Sequence, residues 1–315
     1  MVTADESGEC AARVRAMTLE ADDVLAVELE PMNGGSVDWA PGAHIDLVLP
    51  DAPVRQYSLT GVPGSSRYRI AVLREERSRG GSKAVHERLR PGDIVTLRGP
   101  RNHFVLEPAQ EYLFVAGGIG ITPIVPMLHA AHRAGARWHL LYLGETRRRM
   151  AFLDEVMSID SGSVTVVARD EGARADLGDA LAAWPDAAVY ACGPERMLSA
   201  LQELLPEETG RLRFEYFAAP VVEYEPGGAF SIRLARTGAE LSVEPGQSVL
   251  EVMRSAGAEV LTDCEEGICG SCETHVLEGE VEHRDFVLTS QERERMDCMM
   301  VCVSRAACPL LVLDA

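Results

Sequence analysis

The sequence predicts a multidomain chain of three successive units: an antiparallel β-barrel, an α/β domain on a parallel sheet, and a small α+β domain. Three observations carry that reading. The first 110 residues hold short apolar runs separated by Gly, Pro and Asp, with no long helical pattern. From Glu111 onward, strands alternate with helical stretches, as a crossover-connected parallel sheet requires. Six of the eight cysteines then gather from Cys264 to Cys308. The expected boundaries are 1–110, 111–222, a linker over 223–228, and 229–315.

Composition narrows the function classes. A chain of 315 residues with 46% hydrophobic and 25% charged residues can build several cores, which excludes disordered and fibrous classes. Its net charge of −19 repels phosphates and argues against nucleic-acid binding. No apolar run approaches the roughly 18 residues of a membrane span. Met1 to Arg15 shows no basic-then-apolar signal pattern. The expected location is the cytoplasm, where thiols stay reduced and the cysteines form no disulfide framework.

In the first unit, "DVLAVELEP", "HIDLVLP", "RQYSLTG", "RYRIAVLRE" and "DIVTLRGP" read as strands. On a strand, Arg55 and Tyr57 share one side. The guanidinium suits a phosphate and the ring suits a planar ligand, although a strand tyrosine more often belongs to a core. Gly80, Gly81 and Ser82 precede a helical stretch. They form either an anion site at a helix start or a plain Gly-rich turn.

The second unit opens with "YLFVAGGIGITP", a strand, a Gly-rich turn and a helix start. Gly117, Gly118 and Gly120 permit close approach of a dinucleotide, without the G-x-G-x-x-G of Rossmann dehydrogenases. Thr122 is expected as N-cap and Pro123 as first helical residue. "YACGPERM" repeats the strand–turn–helix pattern, and Cys192 there reads either as a ligand neighbour or as a buried thiol. Arg147, Arg148 and Arg149 follow a strand and suit either a 2′-phosphate or a solvated basic turn. "RLRFEYF" closes the unit at Phe217.

The third unit carries the most specific signal. Cys264-x4-Cys269-x2-Cys272, with Cys302 after 29 intervening residues, is the plant-type spacing of a [2Fe–2S] cluster. Two irons and two sulfides need four thiolates, three from one loop and the fourth from a distant segment. Gly267 and Gly270 let that loop turn tightly and aim N–H groups at the sulfurs. A zinc site favours paired C-x2-C units, and only one such pair is present. Cys298 and Cys308 lie near the fourth position and read as small apolar residues. "SVLEVMRSAG" is an amphipathic helix with a core-facing side. Residues 229–315 hold 16 acidic and 7 basic residues, a net −9.

These motifs together resemble the phthalate dioxygenase reductase family, which includes vanillate O-demethylase reductases, over nearly the full length. The resemblance implies an FMN-binding barrel, an NADH-binding domain and a β-grasp, plant-type ferredoxin domain. It implies that Arg55, Gln56, Tyr57 and Ser58 hold the flavin, with Ser58 near N5. The backbone of Ala71, Val72 and Leu73 would run beside the ring, and Gly80, Gly81 and Ser82 would hold the FMN phosphate. No extra element suits an AMP half, which favours FMN over FAD. Gly117, Gly118, Gly120, Thr122, Pro123, Cys192, Gly193 and Pro194 would receive the dinucleotide, with Ser58, Thr122 and Cys192 at the hydride-transfer centre. Phe217 would stack on the flavin where nicotinamide enters, although a plain core phenylalanine fits nearly as well. Cys264, Cys269, Cys272 and Cys302 would ligate the cluster.

The implied route runs from NADH to FMN to [2Fe–2S] to a separate Rieske non-haem iron oxygenase or O-demethylase. That partner would dock at the acidic ferredoxin domain of a monomeric reductase. A haem-thiolate monooxygenase is the alternative acceptor. A stand-alone flavin reductase is countered by the intact cysteine set. A non-enzymatic iron–sulfur carrier is countered by the flavin and nicotinamide motifs.

Overall fold

The computed structural model describes residues 9–34, 38–75, 80–160, 162–172, 174–220, 222, 224–225, 227–262 and 264–315. The chain divides into two compact units, Met1–Phe217 and Ala218–Ala315.

The first lobe of the first unit contains β1 (Glu9–Ala21), β2 (Val24–Pro31), β3 (His44–Val48), β4 (Arg55–Ser58), β5 (Tyr68–Leu73), α1 (Gly81–Arg88) and β6 (Ile94–Arg101). The strands form one antiparallel sheet in the order β4-β3-β6-β1-β2-β5. A bridge between Leu59 and Ile70 joins its two edges and curls the sheet into a barrel. Alternation along β5 explains its two faces. Tyr68, Ile70 and Val72 enter the barrel core with Leu29, Ile45 and Leu97. Arg69, Ala71 and Leu73 face the other way, and Ala71 and Leu73 pack into the core of the second lobe.

The second lobe contains β7 (Glu111–Gly117), α2 (Ile121–Arg133), β8 (Arg137–Gly144), α3 (Leu153–Met157), β9 (Ser163–Ala168), α4 (Leu177–Ala183), β10 (Ala188–Cys192), α5 (Glu195–Leu204) and β11 (Leu212–Glu215). Its sheet is parallel throughout, in the order β11-β10-β7-β8-β9. The chain winds from β7 through β8 to β9, then crosses back to β10 on the other side of β7. That reversal opens a crevice beyond the carboxyl ends of β7 and β10, where open α/β sheets bind ligands. The lobes are also joined by polar contacts. The Glu107 N–H donates to the Tyr190 hydroxyl at 2.8 Å, and Phe104 packs 5.6 Å from the Tyr190 ring.

One local expectation is corrected. Helix α2 starts at Ile121 behind a 3-10 turn over Gly118–Gly120, with Gly120 as N-cap. Thr122 is therefore inside the helix, and its hydroxyl donates to the Ile119 carbonyl at 3.0 Å. Pro123 is the third helical residue, not the first. The glycine turn is already wound when it enters the helix, so no side-chain cap is needed there.

The second unit holds β12 (Phe230–Leu234), β13 (Glu240–Val243), α6 (Val249–Ser255), β14 (Glu273–Glu278), β15 (Val281–Glu282), α7 (Ser290–Arg295), β16 (Cys298–Met300), β17 (Arg305–Ala306) and β18 (Leu310–Leu313). A five-stranded mixed sheet runs β13-β12-β18-β14-β16, with β12 and β18 parallel at its centre. The buried face of α6, Val249, Leu250 and Met253, joins the core with Ile232, Met299 and Leu311, the β-grasp arrangement. Ser248 and Glu251 close a reciprocal capping box at its start. In the expected linker, Glu223 and Pro226 lie outside the described residues. Tyr224 lies 4.8 Å beneath the Arg284 guanidinium, and the Gly228 carbonyl accepts from Arg305 at 3.0 Å. Among the described residues, no helix is long and apolar enough to cross a membrane.

Candidate functional site

The elements expected around a flavin converge in the first lobe. β4 ends the motif at Ser58, which is buried, while Arg55, Gln56 and Tyr57 are partly covered. Burial pushes the Tyr57 hydroxyl up to about 12, so it stays neutral. A Cβ on Gly81 would stand 2.5 Å from Cγ of Arg55, so only glycine lets the guanidinium arm lie across the start of α1. Arg55 donates to the Val54 carbonyl at 2.8 Å and forms no ion pair among the described residues. Gly80, the N-cap residue of α1, takes φ 110°, a conformation open to glycine. Buried Ser82 accepts from the Glu75 N–H at 3.3 Å. His86 of α1 bonds the Val72 carbonyl at 2.9 Å, tying the helix to the Ala71–Leu73 strand. A glycine-led helix start beside an arginine arm fits a phosphate, and the adjoining strand and Tyr57 fit a planar ring. Arg79, at the head of the Gly-rich motif, lies outside the described residues.

The two glycine turns of the second lobe meet at the crevice. A Cβ on Gly117 would stand 2.5 Å from Pro194, and one on Gly193 would stand 2.9 Å from the Gly117 backbone. One on Gly120 would collide with the Cys192 carbonyl. Gly118, at φ 54°, faces open space. The glycines let the two turns approach closely and leave the Gly118 side open, which fits a dinucleotide lying close to the backbone. Cys192 is buried, and desolvation beside Glu215 pushes its thiol well above the usual range. It therefore stays neutral within the interior behind the turn. Phe217, two residues beyond β11, is 41% exposed and stands outside the core.

Sequence reasoning missed Glu215. It pairs in register with Cys192 on the adjacent strand, and its Oε2 is buried without a hydrogen-bond partner among the described residues. Burial raises its carboxyl to about 8. The signal available was a lone acid within "RFEYF", which strand alternation alone does not mark as buried.

The triple arginine has a different occupation from a free phosphate reader. Arg147 pairs with Glu171 at 2.6 Å. Arg148 pairs with Asp22 at 3.2 Å. Arg149 reaches Glu145 at 2.9 Å and Asp23 at 3.4 Å. Asp22 and Asp23 form the β1–β2 turn, so this segment clasps the first lobe.

In the second unit, the four spaced cysteines come together. The Sγ atoms of Cys272 and Cys302 lie 3.1 Å apart. The thiol of Cys264 shares a hydrogen bond with Cys269, which holds Cys269 down to about 5. Sharing with Cys302 lowers Cys272 in the same way. The sulfurs thus form two pairs, the division that a two-iron cluster needs. Among the described residues, no three His, Cys, Asp or Glu side chains converge to hold a single metal ion. Glu266 N–H donates to Cys264 Sγ at 3.3 Å and Ser271 N–H to Cys269 Sγ at 3.5 Å. A Cβ on Gly267, at φ 72°, would strike Val303 at 2.7 Å, so the loop closes on the fourth-ligand turn only with glycine. Asp263, beside the first cysteine, lies outside the described residues. Cys298 sits in β16, and burial raises its thiol to about 11.

Asp285 was also missed from sequence. Its buried carboxylate accepts from the Val287 and Leu288 N–H groups at 3.2 and 2.9 Å and from Ser304 at 3.4 Å. The next residue, Phe286, donates to the Gly267 carbonyl at 2.8 Å. This segment links the three-cysteine loop to the turn holding Cys302.

Comparison with known proteins agrees with this architecture. Residues 232–307 match the 2Fe-2S iron-sulfur cluster binding domain family. The chain is 41% identical over 308 residues to phenoxybenzoate dioxygenase subunit beta of Ectopseudomonas oleovorans, covering 96% of each. It matches the structure of phthalate dioxygenase reductase, described as modular for electron transfer from pyridine nucleotides to [2Fe–2S]. That match has TM-score 0.70 and 33% identity over 99% of this chain and 100% of that one. An intact type IV self-sufficient cytochrome P450 monooxygenase matches at TM-score 0.90 and 40% identity, over 98% of this chain and 41% of that longer protein. At these identities and over nearly its whole length, the chain belongs to the phthalate dioxygenase reductase family, the iron–sulfur flavoprotein reductases of multicomponent oxygenase systems.

Proposed function

We propose that this chain takes hydride from NADH onto FMN and passes electrons through a [2Fe–2S] cluster to a separate Rieske non-haem iron oxygenase or O-demethylase. The observation that carries the reading is the placement of β5. Its outer face, with Ala71 and Leu73, packs into the lobe that holds both glycine turns. Hydride donor and acceptor must touch, and the proposed flavin strand lies at that junction. Bound flavin supplies the exchange between one two-electron donor and a one-electron acceptor.

The chain's own residues then have defined tasks. Arg55 neutralises the phosphate at Gly80–Ser82, Tyr57 covers the ring, and Gln56 and Ser58 hydrogen-bond its polar edge. Gly117, Gly118, Gly120 and Gly193 admit the dinucleotide, with Thr122, Pro123 and Pro194 shaping the turns around it. Neutral Cys192 leaves the nicotinamide face free of competing charge, and Phe217 covers the entry. Arg147, Arg148 and Arg149 are occupied by carboxylates, which favours NADH over NADPH. Cys264, Cys269, Cys272 and Cys302 hold the cluster. The proposed extents are 1–110 for FMN, 111–222 for NADH, 223–228 for the linker and 229–315 for the ferredoxin domain, whose net −9 suits a basic docking patch on the oxygenase. A cytoplasmic monomer fits this role.

A haem-thiolate acceptor is the second reading, favoured by the 40% identity to the reductase-like part of the self-sufficient P450. The test is an anaerobic visible spectrum of the reconstituted protein before and after one equivalent of NADH. The expected result is rapid bleaching of both flavin bands and the iron–sulfur shoulder. Flavin bleaching without a cluster signal in iron-replete protein overturns the electron route. Reduction of a Rieske oxygenase against a haem-thiolate oxygenase then separates the two acceptors.

A further inference from the structure

Arg69 joins two elements that the flavin and nicotinamide readings treat separately. It projects from β5 on the side of Ala71 and Leu73. Its Nε donates to Thr60 Oγ1 at 3.1 Å, and its Nη2 to the Thr60 carbonyl at 2.6 Å. Thr60 is fully buried and lies within the Arg55–Gly61 motif. The same Nη2 donates to Glu155 Oε1 at 2.9 Å. That single oxygen also lies 3.1 Å from His129 Nε2. Glu155 belongs to α3, and His129 to α2, the helix that the Gly117–Gly120 turn leads into.

A second route closes the loop. The Arg69 guanidinium lies 5.0 Å over the ring of buried Phe152. Phe152 takes φ 60° and ψ 19°, a left-handed conformation costly for an aromatic residue. The preceding Ala151 carbonyl lies 3.1 Å from the Tyr142 hydroxyl, which also stands 3.2 Å from the Gly118 carbonyl. Contacts therefore run from Thr60 through Arg69 to both the turn and the helix of the dinucleotide crevice. Burial raises the Glu155 carboxyl, but hydrogen bonds from His129 and Arg69 outweigh it and hold it below the usual range.

We propose that Arg69, Glu155 and His129 form the joint that sets the distance between flavin and nicotinamide, with Glu155 as a positioning residue for hydride transfer. The proposal rests on the cofactor placement given above. Glu155 touches neither cofactor in this scheme. It fixes the strand beside one against the helix behind the other. Hydride transfer needs a near-attack spacing of about 3–3.5 Å, and misplacement by about 1 Å can cost roughly 100-fold in rate. The joint is partly buried, with 28% of the Glu155 side chain exposed, so stability is measured beside rate. A rate loss out of proportion to the stability loss is its signature.

The test uses full-length, FMN- and cluster-loaded protein carrying Glu155→Gln, Arg69→Ala or both. Anaerobic stopped-flow follows flavin bleaching with NADH and with NADH deuterated at C4. Thermal melts, flavin content and the long-wavelength flavin–nicotinamide charge-transfer band are read in parallel. The expected result for Glu155→Gln is about a tenfold slower bleaching at saturating NADH, a larger isotope effect and a weaker charge-transfer band. Flavin content and cluster spectrum stay unchanged. The double variant is no slower than Arg69→Ala alone, because losing Arg69 already breaks the chain of contacts from Thr60 to Glu155. An unchanged rate and band in folded Glu155→Gln, or additive losses in the double variant, overturns the joint. A wild-type protein whose flavin is not bleached by NADH overturns the cofactor placement itself, and the joint with it.

Discussion

Gly120 and Cys192 touch backbone to backbone: a Cβ on the glycine would stand 2.2 Å from the cysteine carbonyl oxygen. The contact joins the turn after β7 to the end of β10, which lies beside β7 in the sheet. Gly120→Ala cannot be absorbed by a flexible side chain, because the obstacle is main chain. The expected cost is about 1–3 kcal/mol of stability. The turns should also part, raising the NADH concentration needed for half-maximal flavin bleaching. Thermal melts and an anaerobic NADH titration check both. Unchanged NADH response in folded Gly120→Ala would remove this crevice from dinucleotide binding.

The two cysteine pairs make a sharper distinction. Cys302→Ser should abolish the rhombic electron-spin signal of a reduced [2Fe–2S] cluster, because one iron loses a thiolate. Cys298→Ser should keep that signal, since Cys298 lies in β16, outside both sulfur pairs. The reverse pattern would assign the fourth ligand to Cys298.

The arginine turn predicts a negative result for cofactor choice. Arg148→Ala and Arg149→Ala each remove an exposed ion pair to the β1–β2 turn. Such pairs are worth about 0–1 kcal/mol, so a small fall in melting temperature is expected. The ratio of kcat/KM for NADH over NADPH should change by less than about twofold. A collapse of NADPH use in either variant would restore these residues as 2′-phosphate readers.

Glu215 predicts a pH dependence with a definite sign. Its carboxyl titrates at about 8 when folded, against 4.5 for an unperturbed glutamate. Between those values the folded chain keeps a proton that the unfolded chain has released. Stability from this group therefore falls as pH rises from about 4.5 to about 8, by up to about 1.4 kcal/mol per unit, and levels off above. Glu215→Gln should flatten that slope in denaturant melts taken from about pH 5 to about pH 9. An identical slope in the variant would place the titration elsewhere.

The legible parts of this fold were those where local chemistry and tertiary role agree. The cysteine spacing encodes its own loop, and the glycines at 267 and 270 adopt the positive φ that loop needs. β2 to β6 announced themselves by alternation and by turn residues. The first strand did not. Glu9–Ala21 is the longest strand of the barrel, yet its Ala, Arg, Met and Glu residues suit a helix equally well, and only Ala12 and Val14 are buried. Its identity comes from pairing with β2 and β6 on either side. The start of α2 was misplaced because Thr-Pro mimics a cap signal, while the preceding glycines had already begun to wind. Glu215, Asp285 and the Arg69–Glu155 pair were invisible for one reason. Each owes its role to residues far away in sequence, and nothing in its own neighbourhood distinguishes it from an exposed charge.

Cys272 and Cys302 belong to the same packed core as Val249, Met299 and Leu311. Ligand and core are thus one piece of architecture in the ferredoxin unit. A thiolate that loses its iron becomes an interior polar atom, and the surrounding packing must loosen to accommodate it. Delivery of iron and sulfide is then also delivery of folding free energy. In an iron-starved cell, the C-terminal unit would become the part of the chain that proteases find first, so metal supply would govern the lifetime of this reductase as well as its activity.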